Sequence, residues 1–433
     1  MEENYYEGFS KLSREEKLTV LSKLVDDSDS FIEEMKSYRF SDEQLQERFE
    51  QFSENTVSNF HLPFGMAPNF LIDDAVYHIP MVTEESSVIA AASKAAKFWF
   101  ARGGFQTEKI STIKRGHVHF MWYGETPQLE EIFKTFESGL KQQLSDITAN
   151  MEKRGGGIRE VWLSDRTDEL DNYFQVGFSF ETVDSMGANF INSVLEKAAQ
   201  VLKETSEQNH PDKLEVIMAI LSNYSPGSYV QMKVECHVDE LKGRNDEMSG
   251  EQIAGRFKKA VDIANHSVSR AVTNNKGIMN GVDAVVMATG NDFRAVEAGA
   301  HAFSVSHGRT SSLSSCEIEN NHFVFLLTFL LDLGTVGGLT SLHPLASRAL
   351  QLLGNPSARE LMKIVAAVGL ASNFSAIRSL VTTGIQKGHM KLHLENILMS
   401  LNVDEKMKQK IKAHFKDREV SYSRVKAFIE GEL

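Results

Sequence analysis

A lysine among glycines is where chemistry first becomes legible in this chain. From Arg270 to Phe303 the residues run RAVTNNKGIMNGVDAVVMATGNDFRAVEAGAHAF, so Arg270, Lys276, Asn280 and Asp292 stand among glycine, alanine and small apolar side chains. Small residues let backbone and ligand come close, and an apolar neighbourhood makes a lysine's charge costly. A lysine kept there has an anion to hold or a proton to manage. Taken singly, Lys276 also reads as a surface lysine in a glycine turn, and Asp292 as a helix N-cap. Upstream, PMVTEESSV (80–88) sets two adjacent carboxylates, Glu84 and Glu85, before a predicted helix, a place the helix dipole favours for acids in any case.

A second constellation points to a nucleotide. DSMGAN (184–189) follows the strand that ends at Phe180 and opens a helix. Gly187 would permit close backbone approach, and free N–H groups at the helix start would favour a pyrophosphate. A strand-to-helix turn with a capping aspartate is the plainer reading. GxGxxG after a strand, GxxxxGK[ST] and HExxH are all absent. RGGG (154–157) lacks the further glycine of a dinucleotide fingerprint, so a dinucleotide would have to bind in a non-Rossmann way. With fourteen histidines, no single one stands out by type alone.

The bulk properties set limits. A chain of 433 residues can hold two or three domains. Its formal charge of −13 argues against general binding to nucleic acid or anionic membranes, which need basic surfaces. A polyanionic cofactor is not excluded, because a few local cations can override the total. Cys236 and Cys316 give neither a disulfide framework nor a CxxC metal pair, which suits a reducing cytoplasm. The start, MEENYYEGFSKLS, is unlike a signal peptide, and the apolar run from Phe323 to Leu331 is too short to span a bilayer. A cytoplasmic protein without a membrane or nucleic-acid partner is expected.

These residues need elements to position them. Residues 13–50 are expected to be helical, with Ser13/Glu16 and Ser41/Gln44 as capping boxes. Pro63, Gly65 and Pro68 force an irregular, extended path over 53–74. A helix follows from about Ser87 through Trp99. Over 108–240 the pattern gives a strand (Ile110–Trp122), a helix (Gln128–Glu152) and a strand (Ile158–Leu163). Phe174, Val176, Phe178 and Phe180 alternate, a helix runs to about Lys203, and Val230, Met232, Val234, Cys236 and Val238 alternate again. The order β-α-β-β-α-β is that of a ferredoxin-like domain. It is inserted in a larger α/β domain that resumes near Ser249, another capping box with Gln252. Beyond about Thr382 come a glycine-containing hinge and two short polar helices.

The segment 270–303 closely resembles the lysine–aspartate segment of 3-hydroxy-3-methylglutaryl-CoA (HMG-CoA) reductase in its soluble bacterial-type (class II) form. Arg270, Lys276, Asn280 and Asp292 match that family one by one; RAVTNNKG departs from the commoner RAATHNKG at Val272 and Asn274. DSMGAN is similar to the family's cofactor loop DAMGAN, with Ser185 replacing alanine. PMVTEESSV resembles PMVTEEPSV, with Ser86 where proline is usual. GIQKGHMKLH (384–393) resembles GIQQGHM, which aligns the family's catalytic histidine with His389 and leaves His393 as a neighbour. ENTVSNFHLPFGMAP (54–68), GTVGGLTSLHPLA (334–346) and GNPSARELMKIVAAVGLASNF (354–374) extend the resemblance along nearly the whole chain. Ser10 stands where relatives carry an arginine for CoA phosphate, with Lys11 beside it. Glu395 occupies the place of the eukaryotic regulatory serine.

The resemblance implies an α/β (α+β) fold: a large mixed domain (1–107 and 227–380), an inserted ferredoxin-like, non-Rossmann cofactor domain (108–226), and a C-terminal helical flap (381–433). It implies reduction of HMG-CoA to mevalonate and CoA by two reduced nicotinamides, through mevaldyl-CoA and mevaldehyde. Catalysis would rest on Glu85, Lys276, Asp292 and His389, with Lys276 held between Glu85 and Asp292. Ser87, Arg270 and Asn280 would hold the substrate. Asp184, Met186, Gly187, Asn189 and Asn223 would hold NADPH or NADH, with Arg154 and Arg159 near enough to favour a 2′-phosphate. No metal is implied. A homodimer or higher homo-oligomer, with active sites between subunits, is the expected assembly. The rival expectations are an NAD-dependent enzyme oxidising mevalonate and a non-catalytic acyl-CoA-binding relative.

Overall fold

A computed structural model of the chain describes residues 6–431, apart from 244–245, 307, 383–393, 395–396, 399, 402, 416–417 and 419. It divides into two units, Met1–Pro63 and Phe64–Leu433.

The first unit carries α1 (Arg14–Ser22), α2 (Ser28–Ser37) and α3 (Glu43–Glu50). Ser13 and Glu16 form the expected capping box. The box predicted at Ser41 is replaced by Asp42, whose carboxylate accepts from Leu45 N; an ionised acceptor also suits the positive helix end. Arg14 ties the helices by reaching Glu43 at 2.6 Å and Glu50 at 2.7 Å.

In the second unit, the path expected to be irregular over 64–74 is half of a hairpin, β1 (Phe64–Ile72) with β2 (Ala75–Val82). Pro68 is accommodated because the register shifts between Ala67 and Phe70, so its missing N–H falls at an irregularity. Asp73 and Asp74 close the hairpin with φ of 44° and 66°, the backbone that a two-residue turn requires. Then come α4 (Val88–Phe100), β3 (Gln106–Trp122), α5 (Thr126–Glu152), β4 (Gly157–Asp165), β5 (Tyr173–Glu181), α6 (Ala188–Asn209) and β6 (Leu214–Ser222).

Strands β4, β5, β3 and β6 pair in that order, all antiparallel, which is the ferredoxin-like arrangement. Its closing strand is β6, not the alternating stretch from Val230. β6 was not legible because Ile217, Met218 and Ile220 are exposed on it, so polar and apolar residues do not alternate. Val118, Phe120, Trp122, Phe174, Val176 and Phe178 pack beneath α5 and α6 in a core of their own. Each large side chain there contributes roughly 1.5–3 kcal/mol by burial.

The Val230 alternation lies on β7 (Ser228–His237), which pairs with β9 (His322–Leu330), itself paired with β8 (Ser314–Glu319). The first half of β3 pairs with β7 and the second half with β5 and β6, so one strand runs through both sheet regions. The larger core gathers α7 (Gly250–His266), α8 (Val268–Ala288), α9 (Phe293–Ser304) and α12 (Ala358–Val381); α10 (Leu339–Leu342) and α11 (Pro344–Leu352) precede α12. Among the described residues α12 is the one helix long and apolar enough to cross a membrane, and 67% of that stretch is buried inside the molecule. Two further helices, α13 (Glu405–His414) and α14 (Tyr422–Glu430), share a small cluster with Leu394, Ile397 and Leu398.

Candidate active site

Lys276 lies in the middle of α8, not in a glycine turn. The small residues around it serve helix packing. A Cβ on Gly281 would overlap the Ser372 hydroxyl and come within 2.8 Å of Val368 O, so glycine lets α8 lie close against α12. From α8 the ammonium of Lys276 reaches Glu85 Oε2 at 2.8 Å, in a pair open to solvent. Glu85 sits in the short segment between β2 and α4, where its N–H donates to the buried Thr83 hydroxyl at 3.1 Å. Ser87, at the start of α4, has φ of 79° and makes no side-chain capping hydrogen bond. A serine held in the left-handed region without capping its own helix is the sort of strain that accumulates at functional sites.

Asn280 follows Lys276 by one helical turn, so both lie on the same face of α8. Arg270 begins that helix half-buried, without an anionic partner among the described residues, and burial lowers its guanidinium from the ordinary value. Such a group suits a carboxylate ligand.

A second acid group lies along the same helix. Burial first, then a hydrogen bond with Glu297 and the charges of Glu297 and Glu84, push the Asp283 carboxyl up to about 8. Its Oδ1 is buried without a hydrogen-bond partner among the described residues. An acid whose pKa rises on folding keeps a proton that the unfolded chain loses above about pH 4. Stability should therefore fall as pH rises from about 4 to about 8. Asp283→Asn, which mimics the protonated form, should melt higher than the parent at pH 8 and together with it at pH 4. After solvent screening the gain is on the order of 1–2 kcal/mol, readable from thermal melts at both pH values.

Asp292 is the N-cap of α9, accepting from Arg294 N and Ala295 N, and its ion pair is with Arg294. Lys276, expected between Glu85 and Asp292, pairs with Glu85, and among the described residues no ion pair joins it to Asp292. Twelve residues of α8 run from Lys276 to Ala288 before the turn to Asp292, about 18 Å of helix at 1.5 Å per residue.

What Asp292 does face is a cleft of about 370 Å³. Met186, Gly187 and Asn189 of the predicted nucleotide loop line it, together with Arg154, Asn291 and the run Gly334, Val336, Gly337 and Gly338. Gly187 has φ of 84°, and a Cβ there would overlap the Thr182 methyl. A Cβ on Gly334 would overlap Met186 N. The loop is thus seated between the Thr182 side chain and the backbone at Gly334, at separations that only glycine allows. Asp184 does not line the cleft; its Oδ1 accepts from Ala358 N at the start of α12. Asn223, exposed on the loop after β6, does not line it either. Arg159 donates to Gly155 O and also lies outside the lining. His389 and His393 fall outside the described residues. Asn291, whose Oδ1 accepts from Gly334 N at 2.8 Å, is a cleft residue that sequence reasoning missed; the glycines of GTVGG were its visible signal.

A family model described as hydroxymethylglutaryl-coenzyme A reductase matches residues 13–394. The chain is 34% identical over 396 residues to the 3-hydroxy-3-methylglutaryl-coenzyme A reductase of Archaeoglobus fulgidus, covering 90% of this chain and 86% of that one. It is 33% identical to the probable reductase of Borreliella burgdorferi, covering 80% and 77%. Among solved structures it is similar to the class II reductase of Streptococcus pneumoniae bound to NADPH in open conformations, with a TM-score of 0.73, 34% identity, and coverage of 87% and 100%.

Proposed function

The chain belongs to the hydroxymethylglutaryl-coenzyme A reductase family, and from that premise we propose that it reduces HMG-CoA to mevalonate and CoA, with NADPH as the preferred reductant. The observation that carries the reading is the Lys276–Glu85 pair at 2.8 Å, a cation and a proton source side by side. A thioester carbonyl resists hydride until the charge developing on its oxygen is stabilised. Lys276 supplies that charge and Glu85 the proton that makes the alcohol. Arg270, Asn280 and Ser87 hold the carboxylate and hydroxyl of the substrate. His389 is the acid that protonates the departing CoA thiolate, so that it cannot add back.

Two reduced nicotinamides, bound in succession, would each supply one hydride. Met186, Gly187 and Asn189 would hold each in turn, supported by a cleft within the size range of small-molecule sites. Arg154 lines the same cleft and favours NADPH by pairing with a 2′-phosphate. Asp184 and Asn223 would act from behind this surface, Asp184 by fixing the loop to α12. The length of α8 between Lys276 and Asp292 supports a dimer, in which the Asp292 cleft of one copy closes on the Lys276–Glu85 pair of another. CoA suits a second cleft of about 480 Å³ lined by Lys94, Lys97, Arg102, Lys242 and Arg378. Lys94 lies on α4, two turns from Ser87.

Initial rates of HMG-CoA-dependent loss of nicotinamide absorbance test this. The expected kcat/KM is at least about tenfold higher with NADPH than with NADH, the size of one charged hydrogen-bonded contact. A preference for NADH would overturn the part given to Arg154.

A further inference from the structure

We propose that Lys114 is a positioning residue for the dinucleotide loop, an internal brace that fixes how Met186, Gly187 and Asn189 face the cofactor. The inference rests on the cofactor reading above and goes beyond it, because Lys114 lies behind the loop and not in the cleft. Lys114 is on β3, opposite Phe180 of β5, and is 5% exposed. A lysine buried that deeply needs partners for its charge. Its Nζ donates to the Thr182 hydroxyl at 2.6 Å and to Ser185 O at 3.1 Å. The same hydroxyl donates to Ser185 O at 2.7 Å. Ser185 returns hydrogen bonds from its N–H and its hydroxyl to Thr182 O. The turn is thereby closed on itself around one ammonium group.

This turn needs a brace. Val183 within it has φ of 53°, a left-handed conformation that a β-branched residue adopts only when its surroundings hold it there. Two carboxylates face the lysine: Glu181, which accepts from Thr112 and from Val183 N, and Asp332. Asp332 has a buried Oδ1 without a hydrogen-bond partner among the described residues. It begins the segment whose Gly334 packs on Ser185 and Met186 and whose Thr335 N–H donates to Asp184 O at 2.8 Å. The loop is therefore gripped from one side by Lys114 through Thr182 and from the other by the segment that Asp332 opens. Thr182 is also the residue whose methyl occupies the space a Cβ on Gly187 would need. Displacing Thr182 moves the floor under Gly187.

The test uses the full-length enzyme and NADPH, titrated by the nucleotide's own fluorescence, with the KM for HMG-CoA measured alongside. Lys114→Met should raise the Kd for NADPH at least about tenfold, as expected for a lost charged hydrogen bond, and leave the KM for HMG-CoA within about twofold. A milder pair guards against misfolding: Thr182→Val removes the hydroxyl and should weaken NADPH binding about fivefold or more, whereas Thr182→Ser keeps it and should bind within about twofold of the parent. Unchanged NADPH affinity in Thr182→Val, or equal loss in both Thr182 variants, overturns the brace. So does a Lys114→Met variant in which both constants move together. If the parent itself fails to bind NADPH, the cofactor reading falls, and amide exchange at Met186 and Gly187 decides the brace. Faster exchange in Thr182→Val supports it, and unchanged exchange overturns it.

Discussion

Lys276→Met should lower kcat for HMG-CoA reduction by about 10³-fold while leaving the KM for HMG-CoA within a few-fold, because removing one preorganised donor to an oxyanion costs roughly 3–4 kcal/mol in the transition state. The substitution keeps much of the length of the side chain and removes its charge. On the proposed reading, ground-state recognition rests on Arg270, Asn280 and Ser87, which the change does not touch. Glu85 also loses the partner now 2.8 Å away, so the proposed proton source loses its fixed position together with the cation. The pair is exposed, so folding stability should change little, within the range for surface ion pairs of about 1 kcal/mol. Steady-state kinetics beside a thermal melt separate the two effects. A fall in kcat of less than tenfold would mean that Lys276 does not bear the charge of the reaction.

The second large effect belongs to the loop proposed to hold the nucleotide. Gly187→Ala must place a methyl where the Thr182 methyl already sits, on a backbone with φ of 84°. Left-handed backbone disfavours alanine by about 1–2 kcal/mol, and overpacking adds about 1–3 kcal/mol. Relief by shifting the loop should weaken NADPH binding about 100-fold, the equivalent of roughly 2.7 kcal/mol. Gly334→Ala approaches from the other side, against Met186 N, and should act in the same direction. Kd values for NADPH check both. Parent-like affinity in the two variants would show that the cofactor does not depend on this loop.

Much of this was legible in the chain because local chemistry and tertiary need agree. Ser13 and Ser249 begin helices as capping boxes, and Phe174, Val176, Phe178 and Phe180 alternate because they share the face of β5 that enters the core. The edge strand β6 was hidden because edge exposure leaves Ile217, Met218 and Ile220 in solvent. The hairpin at 64–82 was hidden because prolines and a glycine imitate a loop where a bulge absorbs them. At the site, Glu85 and Lys276 meet as expected although 191 residues separate them. Among the described residues Asp292 makes no ion pair with them; it caps the next helix, α9, and pairs with Arg294. Lys114 gave no signal at all: it stands within the strand expected over Ile110–Trp122, and only the fold encloses its ammonium.

The most direct measurement of the central claim is stoichiometric. With HMG-CoA limiting and NADPH in excess, the moles of nucleotide oxidised are compared with the moles of free CoA thiol released and mevalonate formed. Two NADPH for each thiol and each mevalonate is the predicted result, since a thioester must accept two hydrides to become an alcohol. One NADPH per thiol, with the aldehyde left as product, would contradict the account, and so would the absence of any oxidation that depends on HMG-CoA.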